Sequence, residues 1–259
     1  MINCKCNTIE PDETHHELSP PPLEPTNVVE RRDRPRTESD YWRNAEDGDW
    51  CMVRWEPGRA SWFNRATLLI TGSAHHHDEL IIRYNGSVYS GNASLPHFGL
   101  LNFAERVRSA GLGELRYAIY RPTEYAKNKM LTQRIRERIN ATIRAWDAVP
   151  PRYDVRGVLS IGRSWMRARL PVSLKPILRH DEHSVWCTES CFAAYWLAGL
   201  CPMDAIGKQP LPSPIHAERL VWAGYLELVY DGGIAGAIQA NQCRYASAAK
   251  NRREKDGAR

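Results

Sequence analysis

The sequence predicts an α+β domain, and three stretches carry that expectation. Asn85-Gly86 stands between two β-rich runs, Leu80 to Arg83 and Val88 to Ser90. Asn-Gly in that setting is the strongest short hairpin signal. From Thr123 to Trp146, Leu131, Ile135, Ile139 and Ile143 repeat every fourth residue, which marks one face of a long helix. From His183 to Leu200, Cys187, Cys191, Ala194 and Ala198 share a second helical face, flanked by the bulk of Phe192, Tyr195, Trp196 and Leu197.

The remaining elements follow in order. Residues 1–40 combine clustered prolines with the charged run ERRDRPRTESD, so they form a flexible arm unable to bury enough apolar area to offset its ordering entropy. Cys4, Cys6, His15 and His16 match no common zinc spacing. The domain proper spans 41–243 and opens on GDWCMVRWEP, a short strand alternating Trp50 and Met52 with Cys51 and Val53. RASWFNRATLLITGS is helical and closes at Gly72. After the hairpin, a Pro-His loop leads into LLNFAERVRSAG, an amphipathic helix ending at Gly111. GELRYAIYRP is a strand with Leu115, Tyr117 and Ile119 on one side, and Pro122 ends it. The long helix carries Arg134, Arg136, Arg138 and Arg144 on its other face, a solvating pattern more than a nucleic-acid one. VPPRYDVRGVLSIG turns into a short helical or extended piece, and 165–182 is a basic, proline-broken loop. Past Pro202 the chain is loop-like through PLPSP, then HAERLVWAGYLELVYDGG gives a helix and a strand. Residues 244–259 form a frayed basic tail.

Composition sets outer limits. The 259 residues are 42% hydrophobic and include nine tryptophans and eleven tyrosines, enough for a packed core once the polar arm is set aside. A net charge of +5 and a pI near 8.8 allow contact with an acidic polymer without requiring it. No apolar run approaches a membrane span, and MINCKCNTIEPDETHHEL lacks the features of a secretory signal. Synthesis in the cytoplasm is expected, with reduced thiols. The seven cysteines follow no disulfide framework.

The helix at Cys187 offers chemistry. Ser184 is its candidate N-cap and Gly199, followed by Pro202, its stop. Cys187 then falls in the first turn, where the helix dipole and free amides favour thiolate. A thiolate is the nucleophilic form of cysteine; a small buried hydrophobe is the alternative reading. His75, His76 and His77 stand where the hairpin's first strand begins. On an extended strand His75 and His77 face one way and His76 the other. One of them is a candidate general base, because imidazole titrates near neutral pH. Exposed loop histidines are the alternative. A metal site is not indicated, since no acidic or cysteine partner sits at a convincing spacing.

Read together, these pieces resemble the permuted NlpC-type proteins of the papain-like superfamily, relatives of lecithin retinol acyltransferase. The matching residues are Gly48-Asp49, Thr71-Gly72-Ser73, His77, Tyr153-Asp154 with Gly157, Trp186-Cys187-Thr188-Glu189 and Ala198-Gly199, in the family's permuted order. They cover about residues 47–200. The chain departs from the pattern at Thr188, where serine is usual, and at Asp78-Glu79, where small residues are usual. The family's third polar residue aligns with Ser90, with Asn92 and His97 as rivals; His76 rivals His77 as the base.

The resemblance implies a circularly permuted papain-like fold in which an antiparallel sheet packs on helices. It implies a cysteine peptidase or amidase: His77 takes the Cys187 proton, the thiolate attacks a carbonyl, and water releases the acyl group. No metal or cofactor is needed, and Glu189 is structural, with an arginine as its expected partner. Peptidoglycan peptides are the foremost substrate, consistent with a phage-encoded wall-degrading hydrolase, and virion proteins are candidate partners for the arm. A lipid acyl hydrolase or transferase, or an inactive domain serving virion assembly, are the alternatives.

Overall fold

Alternation along β1 (Trp50–Trp55) sets the core. Trp50 and Met52 enter one apolar cluster and Cys51 and Val53 another, so the sheet is buried on both faces. The computed structural model of the chain describes residues 44–126, 129–159, 184–207 and 212–257. Contacts divide the chain at 33/34, and the described residues belong to the second unit. The arm over 1–40 and the basic loop over 165–182 lie outside the described residues.

The fold is α+β. A six-stranded sheet runs in the order β4-β3-β2-β1-β5-β8, and every neighbouring pair in it is antiparallel. Its other members are β2 (His77–Tyr84), β3 (Ser87–Ala93), β4 (Phe98–Asn102), β5 (Leu115–Pro122) and β8 (Leu226–Gly232). β6 (Arg152–Tyr153) and β7 (Ser184–Val185) form a separate parallel pair. Asn85 and Gly86 both take left-handed backbone, φ 50° and 76°, as the tight hairpin turn between β2 and β3 requires.

Helices cover the two faces. α1 is Trp62–Thr71, α2 Phe103–Gly111, α3 Lys129–Ala148, α4 Cys187–Ala198, α5 Pro202–Ile206, α6 Pro214–Trp222 and α7 Ala235–Gly257. On the first face, Ile135, Ile139 and Ile143 of α3 meet Cys191, Ala194 and Ala198 of α4 over Trp50, Leu80 and Ile82. The small residues of α4 permit that close packing. Trp50 meets Phe192 and Tyr195 edge-on at 5.2 and 5.1 Å. Each such pair adds about 0.5–1.5 kcal/mol beyond burial. On the second face, Phe103 of α2 packs with Ile81, Leu115, Tyr117 and Ile119.

Four expectations need correction. Leu100 and Leu101 belong to β4, not to the following helix, because the Asn102 side chain accepts from Ala104 N–H and starts α2 there. Residues 202–206 are helical, with Pro202 in the first turn, where its missing N–H costs nothing. The basic C-terminal stretch is the continuation of α7, which runs through the boundary placed at 243/244. Ser184 lies in β7, and the N-cap of α4 is Trp186. The Leu131 side chain lies outside the described residues.

Candidate active site

The site is assembled where α1 hands over to β2. Gly72, at φ 69°, takes the left-handed C-cap of α1 and its N–H bonds Leu68. The next residues turn into a buried cluster on α6. Glu218 accepts from the Ser73 hydroxyl, from Ala74 N–H at 2.5 Å, and from Asn241 at 2.8 Å. His75 lies between two carboxylates, with Nδ1 3.1 Å from Glu218 and Nε2 2.9 Å from Asp78. Burial opposes its charge, but Asp78 and then Glu218 outweigh that and raise its pKa to about 10. Asp78 also accepts from Trp50 Nε1–H and from the Thr188 hydroxyl. Burial opposes its ionisation too, and His75, Thr188 and Trp50 hold its pKa below the usual carboxylate range all the same. The strand start is thereby tied to β1 and to the residue after Cys187.

His77 begins β2 and points into a different set of partners. Its Nε2 donates to Asn92 Oδ1 at 2.8 Å and lies 3.1 Å from Glu79 Oε1. Glu79 is held in turn by Arg106, whose Nε is 3.1 and 3.3 Å from its two oxygens and whose Nη2 also bonds it. Cys187 and His77 line the same cleft. Burial alone would depress His77; the nearby Cys187 sulfur, followed by Glu79, raises it to about 10. Burial likewise opposes the charge on Glu79, and Arg106 and His77 reverse it, leaving its carboxyl well below the usual range.

Cys187 is the first residue of α4. Trp186 is extended, at φ −107° and ψ 172°, and the Glu189 carboxylate reaches back to its N–H at 3.4 Å. Glu189 thus serves the helix start through the backbone; burial raises its pKa to about 8. The other end closes at Gly199, φ 94°, with Leu200 N–H on Tyr195. Asp154 accepts from Gly157 N–H at 2.8 Å and starts the helical turn at 155–159. A Cβ on Gly157 would stand 2.3 Å from the Trp186 ring, so only glycine allows this approach.

A cleft of about 180 Å³ opens over the thiol. Cys187, His77, His76, Phe63, Ile70 and Trp186 are among its lining residues. His76 is only 5% exposed.

The structure therefore brings Cys187, His77 and Asn92 together. Ser90 does not join them: it pairs with Ile81, four residues along β2 from His77, or about 13 Å at strand rise. Its hydroxyl is buried without a hydrogen-bond partner among the described residues. His97 is exposed and pairs by its backbone with Arg152. The alternation expected of the histidines fails because β2 starts at His77; irregular backbone at 75 and 76 sends His75 into the core and His76 to the cleft. Glu79, Arg106 and Asp78 were missed as parts of the site. Strand alternation could have found Glu79, two residues from His77 on the same face; only the fold reveals Arg106. Among the described residues, no group of three or more His, Cys, Asp or Glu is placed to hold a metal ion, and no helix is long and apolar enough to cross a membrane.

No protein-family model matches this chain, and no curated protein matches it either.

Proposed function

We propose that the chain is a cysteine hydrolase on a permuted papain-like fold, cleaving an amide bond through an acyl-enzyme. The observation that carries this reading is the His77 imidazole, which shares a cleft with Cys187 while Asn92 and Glu79 hold its Nε2. On this reading Cys187 is the nucleophile, His77 the base and Asn92 the orienting group, the series that nucleophilic catalysis needs.

In the proposed reaction the Cys187 thiolate attacks the amide carbonyl carbon. The oxyanion faces the Cys187 N–H, one of the amides that a helix start leaves without an intrahelical partner. The His77 imidazolium gives its proton to the amide nitrogen, the C–N bond breaks, and a thioester remains on Cys187. His77, now neutral, takes a proton from water; the hydroxide adds to the thioester, and the acid leaves as the thiolate is restored. Glu79 and Arg106 keep the imidazole in place throughout.

Peptidoglycan peptides are the proposed substrate, following the resemblance of Gly48-Asp49, His77 and Trp186-Cys187 to the NlpC-type pattern. Under that reading the source is a phage and the arm docks on virion proteins. The test is digestion of purified wall peptides, read by mass spectrometry, with Cys187→Ala as control. Hydrolysis of one amide by the wild type alone supports the reading; intact peptides, or cleavage that persists in the variant, refute it. The apolar residues of the cleft favour a second reading, acyl-ester hydrolysis of lipid. Release of fatty acid from phospholipid vesicles, with wall peptides left intact, would select it.

A further inference from the structure

The reaction above leaves His76 unused. Its ring is 5% exposed, and neither nitrogen has a hydrogen-bond partner among the described residues. A buried polar group left unpaired costs about 1–3 kcal/mol, so such a ring on a cleft wall is poised for a ligand. His76 lines the same cleft as Cys187 and His77. The described lining includes no Asp, Glu, Lys or Arg, and Phe63, Ile70, Leu95, Val158 and Trp186 supply its apolar wall.

The polarity of the ring narrows what it can recognise. Burial, then the charges of His77, His75 and Arg54, lower the His76 pKa to about 3, so the ring is neutral at physiological pH. A neutral imidazole offers one donor and one acceptor. A secondary amide can meet either ring nitrogen, giving its N–H to the acceptor or taking the donor's hydrogen on its C=O. A carboxylate or an ammonium group would enter a largely apolar cleft where the charged lining residue, His77, is already held by Glu79 and Asn92, at high desolvation cost. A plain fatty acyl chain would leave both ring nitrogens unpaired.

We infer that His76 is a specificity-determining residue that reads a backbone amide of the substrate's acyl portion, whose uncharged side chain fills the apolar cleft. The substrate class is therefore a peptide with a neutral, apolar residue on the acyl side of the scissile bond. This deepens the acyl-transfer reading and rests on it for the direction of the substrate.

Binding tests the inference without the nucleophile. The probes are N-acetyl-leucinamide and 4-methylpentanamide, which share the side chain and primary amide and differ by the acetamido group. Each is titrated by NMR into Cys187→Ala protein and into Cys187→Ala carrying His76→Phe or His76→Gln. N-acetyl-leucinamide is expected to bind about 10–100-fold more tightly than 4-methylpentanamide, because a site built around a hydrogen bond rejects the analogue lacking it. In the His76→Phe background the preference is expected to fall to about twofold or less, with binding of 4-methylpentanamide little changed. His76→Gln, which keeps a donor and an acceptor, should retain part of the preference. Equal affinities, a preference that survives His76→Phe, or no binding of either probe overturns the inference. An unreactive Cys187 is detected separately, by alkylation of the wild-type protein, so the two failures are distinguishable.

Discussion

His75 and His77 stand two residues apart, each beside acidic partners and each with a pKa raised to about 10, yet their surroundings differ. His75 is fully buried, with both nitrogens on carboxylates of Asp78 and Glu218. His77 keeps one nitrogen for Asn92 and Glu79 and lines an open cleft together with Cys187. The same protonated ring thus serves as a tie in one place and as a proposed proton carrier in the other. What separates them is access to a nucleophile and to space, not the strength of the pKa shift. Perturbed histidines are candidates for function only when geometry agrees.

Substitution should split the pair cleanly. The largest effect is expected on activity: His77→Ala should lower kcat/KM for a cleaved amide by about 10²–10⁴-fold, since it removes the proposed base. His75→Gln should act the other way round. It removes the charge between Asp78 and Glu218, and breaking a buried pair costs about 3–5 kcal/mol, read as a shift in the urea midpoint. An active but barely destabilised His75→Gln protein would break the comparison.

The sign of the pH dependence sharpens it. The folded pKa of His75 lies above its ordinary value of 6.5, so its contribution to stability is fully present below about pH 6.5. It declines as pH rises and is lost above about 10. The stability gap between wild type and His75→Gln should narrow over that window in urea titrations at successive pH values.

A smaller effect is expected at the orienting residue. Asn92→Ala removes one hydrogen bond to His77 and should reduce kcat/KM by about 10–100-fold, on the scale of a hydrogen bond to a charged group. Ser90→Ala should leave activity within about twofold and not lower stability, since it deletes a buried hydroxyl without a partner among the described residues. A large loss from Ser90→Ala with none from Asn92→Ala would reverse the assignment.

Local pattern made much of this arrangement legible. Alternation gave β1, Asn85-Gly86 gave the hairpin, and the spacing of Ile135, Ile139 and Ile143 gave the buried face of α3. The place of Cys187 in a first turn was also readable, although the cap is Trp186 and not Ser184. Pairings remote in sequence were not. Glu218 reaches His75 across more than 140 residues, and Arg106 reaches Glu79 from another helix. Asp78 and Glu79 read as departures from a family pattern because their partners, Thr188 and Arg106, are joined only by the fold. The choice between Ser90 and Asn92 depended on register, because the two lie two residues apart on one face of β3 and alternation alone does not separate them.

The central claim is that Cys187 and His77 form a reactive ion pair. Iodoacetamide labelling of every cysteine across pH 5–9, followed by peptide mass spectrometry, tests it most directly in wild type and His77→Ala. Cys243, an exposed free thiol, serves as the internal reference. Cys187 is expected to label faster than Cys243 at acidic and neutral pH, because it sits at a helix start beside the His77 imidazole. That advantage should vanish in His77→Ala. Labelling of Cys187 no faster than Cys243, or unchanged by His77→Ala, would contradict the ion pair.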